Sequence, residues 1–441
     1  MKRTIFSTIS VILFAGFFRF ESVVTADAVI GTVSVGTTPV AVAVNTVTNK
    51  IYVANANSSN VTVIDGTNNS TVTVATAVSP AALAVNSATN KIYVVHTTSN
   101  TVTVIDGSNN TTASVAVGTS PRFVAINQVT NKIYVSNQTS DTVTVINGPD
   151  NATSSIAVDE FPAGVAVNPV TNMVYVAHSG GITVINGANN TPTFVPTGVN
   201  HFEIAVNKNT NKIYTSNLDS ATATVMDGAS NSITSVPTGS APQGLSINEV
   251  TNRIYIPNRL SGNVTVIDGG NNSTNTIDVG LDPRASAINQ VTNKIYVTKG
   301  MDNGGSNSVA VINGANNTVS TIIAGNYPRA LAVNPDTNKT YVAYINSNSV
   351  AVIAGEAVPT FSVTGRVTTS TGVGLRNAVV LMRDPAGVSR QAFTSSLGYY
   401  TFTDVAAGPY VVSVSSRRYR FEERNISAVQ NLTEIDFVGL E

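Results

Sequence analysis

Residues 39–45, Pro39-Val40-Ala41-Val42-Ala43-Val44-Asn45, form an almost continuous apolar run, the pattern of a strand buried on both faces. A polar turn at residues 45–49 leads to a second predicted strand over residues 50–54, with Tyr52 at its centre. Asn60-Val61-Thr62-Val63-Ile64-Asp65-Gly66 then alternates polar and apolar positions, as a half-buried strand does. Asp65-Gly66 and Asn68-Asn69 supply a turn that tolerates positive φ, and a more polar fourth strand is expected over residues 70–76. No window in this unit carries the 3.6-residue period of a helix.

The unit recurs. Thr48-Asn49-Lys50-Ile51-Tyr52-Val53 has seven later copies, beginning at Thr89, Thr130, Thr171, Thr210, Thr251, Thr292 and Thr337, at spacings of 39 to 45 residues. Tyr52, Tyr93, Tyr134, Tyr175, Tyr214, Tyr255, Tyr296 and Tyr341 share one repeat position, so these tyrosines build architecture; catalysis needs a single site. Four antiparallel strands per ~40 residues is the requirement of a propeller blade. The two ends split one repeat. Residues 29–35 read as a fourth strand with no blade before it, and residues 348–353 as a third strand with no fourth after it. The expected fold is therefore all-β, an eight-bladed β-propeller closed by the N-terminal strand, an arrangement that removes the exposed sheet edge.

Here the residues carry a family resemblance. The segments from Val44-Asn45 to Tyr52-Val53-Ala54-Asn55, and Val61-Thr62-Val63-Ile64-Asp65-Gly66, resemble the YVTN-repeat β-propellers of surface-layer and other exported proteins of bacteria and archaea. The resemblance extends over about residues 29–355 and implies a fold; the name describes a repeat and no activity. Many such relatives have seven blades, which makes a seven-bladed ring the alternative.

The pattern changes after residues 356–360, an expected linker, and all nine Lys lie at or before Lys339. Residues 361–367, 378–382, 399–402 and 410–414 read as strands, and about seven short strands with Gly-containing turns suggest a small β-sandwich over residues 361–441. Gly365-Arg366-Val367, Ala378-Val379-Val380-Leu381 and Gly398-Tyr399-Tyr400-Thr401-Phe402, with Gly408-Pro409-Tyr410, are similar to carboxypeptidase regulatory-like domains. That resemblance implies a transthyretin-like sandwich that accompanies exported proteins without itself being catalytic. The absence of Lys after Lys339 excludes the Lys–Asn isopeptide cross-link of related pilin and adhesin sandwiches.

Composition sharpens this picture. Of 441 residues only 11% are charged and the net charge is −1, so nothing suggests nucleic-acid binding by a basic surface, and no nucleic-acid partner is expected. There is no Cys, which rules out disulfides and thiolate metal sites, and no Trp. Lys2 and Arg3 precede an apolar run over residues 4–18, and Ala26-Asp27-Ala28 offers a small-x-small cleavage site. Residues 1–28 are therefore read as a signal peptide, residues 29–355 as the propeller, and the protein as exported, extracellular, cell-surface or periplasmic. No membrane span is expected after cleavage.

Candidate chemistry lies where the copies disagree. The residue after the strand-one proline runs Val40, Ala81, Arg122, Ala163, Phe202, Gln243, Arg284 and Arg329, with His201 in place of the proline in the fifth unit. Three places past the repeat tyrosine come Asn55, His96, Asn137, His178, Asn217, Asn258, Lys299 and Tyr344. Both positions are expected at the rim of the central channel. Arg122, Arg284, Arg329, Gln243, His96, His178 and Lys299 are thus the candidate ligand-binding residues for a polar or anionic ligand. No nucleophile elbow, phosphate-binding Gly loop or HExxH pair occurs, and no metal or cofactor is expected. The Asp-Gly-x-Asn-Asn turns lack the spacing and terminal Glu of a calcium loop.

The expected role is a monomeric, non-enzymatic binding scaffold for a protein or glycan ligand. A lactonase-like hydrolase using Glu203 and His201 is the alternative from another class. A third is carbohydrate binding by the sandwich through Tyr399, Tyr400 and Tyr419.

Overall fold

The computed structural model describes residues 26–300, 307–356, 360–384, 387–406, 408–416, 418–428 and 430–440. The expected signal peptide falls on residues 1–28, of which 1–25 lie outside the described residues, as do linker residues 357–359. Residues 28–354 form eight four-stranded antiparallel sheets. The first sheet runs Pro39–Asn45, Lys50–Asn55, Asn60–Asp65 and Thr71–Ala75, each strand hydrogen-bonded to the next. Its turns work as the sequence demands: Asn49 and Asn69 adopt φ of 52° and 63°, the left-handed region that Asn tolerates.

Burial within a sheet differs from the expected gradient. The second and third strands are the deeply buried ones, whereas the apolar first strand is only half-buried along most of its length. The first strand borders a cavity, so one of its faces is solvated. Its Ala and Val are small because they stand at the narrow inner edge. The fourth strand is exposed except for one inward residue, Val74 in the first sheet.

Each sheet is tied to the next by repeated polar contacts. Asn45 donates through Nδ2 to Asn90 Oδ1 at 2.9 Å, and the same bond recurs from Asn86, Asn127, Asn168, Asn207, Asn248 and Asn289 to the Asn of the following sheet. Lys50 Nζ reaches the Gly107 carbonyl at 2.9 Å, a second bond of the same kind. Each such bond stabilises by about 1 kcal/mol net. The repeat tyrosines, all fully buried, fill the space between sheets. The eighth sheet makes the same ties to the first: Asn334 Nδ2 to Asn49 Oδ1 at 2.8 Å, and Lys339 Nζ to the Gly66 carbonyl at 2.9 Å.

Strand Ala28–Ser34 pairs with Ser349–Ala354 and supplies the fourth strand of the eighth sheet. This strand begins inside the segment read as a leader, and the residue before it is part of the fold. The Asp27 side chain is only 5% exposed; it accepts from Lys294 Nζ at 2.6 Å, Tyr296 Oη at 2.9 Å and the Glu356 amide at 3.2 Å. Glu356 Oε2 contacts the same ammonium at 3.1 Å. In the seventh sheet, therefore, the repeat Lys and Tyr hold the chain's two ends of this domain.

Residues 360–440 make a separate two-sheet sandwich. Thr360–Thr368 pairs with Tyr399–Ala406 on one side and Phe437–Val438 on the other, and Val379–Arg383 lies between Ser389–Phe393 and Gly408–Ser415, with Arg424–Ala428 beyond. Val363, Val367, Val380, Met382, Phe402, Val412 and Phe437 form its core. Tyr400 belongs to that core, 3% exposed with its hydroxyl donated to the Ile435 carbonyl, so it is not the exposed sugar-stacking residue expected. Strand alternation explains this, since Tyr399 and Tyr400 must face opposite ways. Tyr399 stays exposed, beneath the Arg366 guanidinium. Among the described residues no helix is long and apolar enough to cross a membrane.

Candidate functional site

Residues in or just before the first strands of seven of the eight sheets border one cavity of about 520 Å³, within the usual range for small-molecule sites. Arg122, Gln243, Arg284 and Arg329 all line it, together with the small residues Val40 and Ala81. Strand-one side chains reach it because five of these strands start at a proline directly after the connection from the previous sheet. The next residue then sits at the inner edge. In five sheets the register shifts just after that proline.

Arg122 is held from three sides. Its Nη1 donates to Gln138 Oε1 at 3.1 Å, and its Cζ lies 5.8 Å and 5.6 Å from the ring centres of Phe123 and Phe202. Those rings pack edge to face at 6.4 Å. Burial, and then the positive charge of Arg329, pull Arg122 below the ordinary guanidinium value, which still leaves it charged at neutral pH. Arg284 is anchored differently, with Nε on Asp282 Oδ2 at 2.9 Å and its Cζ 5.4 Å from the Tyr327 ring centre. Asp282 also takes Arg259 Nε at 3.1 Å. Among the described residues, neither Arg122 nor Arg329 has an ion-pair partner.

The wall between these groups depends on close backbone approach. A Cβ on Gly244 would lie 2.5 Å from the Arg284 carbonyl oxygen, which instead accepts from the Gly244 amide at 3.0 Å. Only glycine fits beside the strand that carries Arg284.

Glu203 also lines the cavity. Burial pushes its carboxyl up to about 7, with the Leu245 amide opposing. The folded value lies above the ordinary one of 4.5, so the stability contributed by the protonated form is complete below that value and is lost as pH rises through about 7. Glu203→Gln is expected to raise stability by on the order of 1–2 kcal/mol near pH 8 and to change little near pH 4, as read by chemical denaturation at the two pH values.

The structure does not bring His96, His178 and Lys299 to this cavity. All three are buried, and His96 Nε2 contacts Thr103 Oγ1 at 2.9 Å while Lys299 Nζ donates to the Val279 carbonyl at 2.6 Å. The reason is visible at the equivalent Asn55, whose Nδ2 bonds Asn60 Oδ1 and Thr62 Oγ1 on the adjacent strand. This position ties the second strand of a sheet to its third and faces no channel. Burial pushes His96 and His178 down to about 4, which keeps both neutral at pH 7. Nor do Glu203 and His201 form one site. His201 is 1% exposed, its ring nitrogens engaged by Thr197, Thr215 and Asn217. Among the described residues no group of three or more His, Cys, Asp and Glu could hold a metal ion.

Phe123, Gln138 and Asp282 were not singled out by the sequence. Each departs from its repeat: Phe123 stands where other units have Ala, Gly or Glu, and Asp282 where the first three have Thr38, Ser79 and Ser120.

Comparison with known proteins bears on the two parts separately. Residues 362–438 match the carboxypeptidase regulatory-like domain family. No curated protein matches the chain. Among solved structures, Saccharomyces cerevisiae Sqt1 superposes with a TM-score of 0.64 at 10% identity, over 75% of this chain and 100% of that one. Kuenenia stuttgartiensis hydrazine synthase gives 0.52 at 17% identity, over 72% of this chain and 95% of that one. A chain of a mitotic checkpoint complex gives 0.52 at 11% identity, over 81% and 99%. At such identities the likeness is one of fold. The class is a β-propeller followed by a carboxypeptidase regulatory-like β-sandwich.

Proposed function

We propose that this is an exported, non-enzymatic binding scaffold whose propeller is a closed eight-bladed ring of the YVTN type. The ties from Asn334 to Asn49 and from Lys339 to Gly66 support closure, because the first repeats between the last and first sheets the Asn bond joining every other adjacent pair, and the second repeats the bonds of Lys50, Lys91, Lys132 and Lys212. Export rests on the basic and apolar N-terminal pattern. The bonds of Asp27 to Lys294 and Tyr296 favour a cleavage that keeps it, after Ala26 rather than after Ala28, and an intact mass of the secreted chain tests this.

The observation that carries the binding role is the convergence of Arg122, Gln243, Arg284 and Arg329, all at one variable repeat position, on a single cavity. Repeated positions build the ring, and a ligand needs positions that do not repeat. The test is a metabolite and glycan array with the intact protein and with the double variant Arg122→Ala, Arg329→Ala. Propeller-dependent hits should weaken at least a hundredfold, equivalent to about 2.7 kcal/mol, while the unfolding midpoint stays put. Hits that survive in the double variant would place binding elsewhere, the exposed Tyr399 face of the sandwich being the next surface to vary.

A further inference from the structure

Resting on that reading of the cavity, we infer that its ligand is a small organic acid: an anionic head held by Arg122 and Arg329 and a flat apolar body lying across Val40 and Ala81.

The order of the sheets carries the argument. Arg329 comes from the eighth sheet, Val40 from the first, Ala81 from the second and Arg122 from the third. The two long cationic side chains therefore flank an arc of small apolar ones, and the cavity volume of about 520 Å³ is left beside that arc. Leu83 and Val42 line the same side, and Thr97, the hydrogen-bonding side chain there, already donates its hydroxyl to the Pro121 carbonyl at 3.0 Å, so the surface between the arginines is mainly apolar. A flat apolar group recovers the contacts that water cannot make there.

The cationic side is built, not accidental. The Arg122 guanidinium rests on two phenylalanine rings and gives one hydrogen bond to Gln138, and a guanidinium has five N–H donors. It is thus pinned in place before any ligand arrives, which lowers the ordering cost of binding. Arg329 brings a second positive charge near enough to disfavour the charge on Arg122. Two guanidinium groups without an ion-pair partner among the described residues repel one another, and an anion placed between them relieves that repulsion. Arg284, already engaged by Asp282, comes from the seventh sheet, next to that of Arg329, and is not needed for this step. The chemistry selected is a carboxylate or other oxyanion joined to a planar hydrophobic group, since a bare inorganic anion leaves the Val40–Ala81 arc unfilled.

The experiment measures calorimetric affinity of the full chain for three probes: 2-naphthoate, the uncharged 2-naphthamide and inorganic phosphate. 2-Naphthoate should bind at least tenfold more tightly than either of the others, and Arg122→Ala with Arg329→Ala should erase that advantage. Ala81→Trp, which fills the arc, should abolish 2-naphthoate binding whatever the head group does. Equal affinity for the acid and the amide, both blocked by Ala81→Trp, overturns the anionic class and leaves the cavity a binding site. Phosphate as tight as 2-naphthoate overturns the apolar body. No binding by any probe overturns the inference, and array hits that nevertheless vanish in Ala81→Trp would show that the cavity binds something else.

Discussion

Asp27→Ala is expected to destabilise the propeller by about 2–4 kcal/mol, because it leaves a partly buried ammonium and a buried phenol without their main partner. The Asp27 side chain is 5% exposed and receives Lys294, Tyr296 and the Glu356 amide together. Lys294 keeps Glu356, whose side chain is 52% exposed, and this holds the loss near the lower end of that range. Asp27→Asn retains an acceptor for the phenol but not the charge, so its cost should fall between wild type and Asp27→Ala. Burial alone would pull Lys294 down, yet its bonds to Asp27 and Glu356 carry it above the ordinary value. The stability from that raised group is therefore present throughout neutral pH and is lost only as pH climbs past about 10.4. Denaturant unfolding followed by circular dichroism reads all of this. An Asp27→Ala protein as stable as the wild type would show that the N-terminal strand is held by its backbone pairing alone.

Tyr134→Ala should be the most damaging single truncation, at about 3–5 kcal/mol, as for other large buried aromatics. Tyr134 is fully buried among Val143, Val145, Val174 and Val176, which belong to two adjacent sheets. Removing the ring opens a void that neither sheet can close, since both are fixed by their strand pairing. The more informative pair is conservative. No protein group accepts the Tyr134 hydroxyl among the described residues, whereas the Tyr296 hydroxyl donates to Asp27. Tyr134→Phe should change stability by less than about 1 kcal/mol, and Tyr296→Phe should cost about 1–3 kcal/mol because a buried carboxylate oxygen loses a donor. Equal costs for the two would mean that the repeat tyrosines are interchangeable after all.

That contrast separates what a repeat can tell from what it cannot. The strand boundaries, the Asn and Gly turns and the split final sheet were all legible in the sequence. They follow from side-chain alternation and turn chemistry, which act over a few residues. The variable position after the strand-one proline was legible too, because departure from a repeat is itself a signal. Tertiary structure decided which departures meet. Arg122 and Arg329 lie 207 positions apart in the chain and line one cavity only through the placing of their sheets. His96 and Lys299 occupy an equally variable position yet turn inward to the next strand or a nearby carbonyl. Asp27 looked like part of a leader, and its value emerged only from the ammonium and phenol it meets 267 and 269 residues away. Local pattern determines strands and turns because their hydrogen bonds join near neighbours. The convergence of distant side chains depends on how whole sheets are set around a common centre, and no local pattern encodes that arrangement residue by residue.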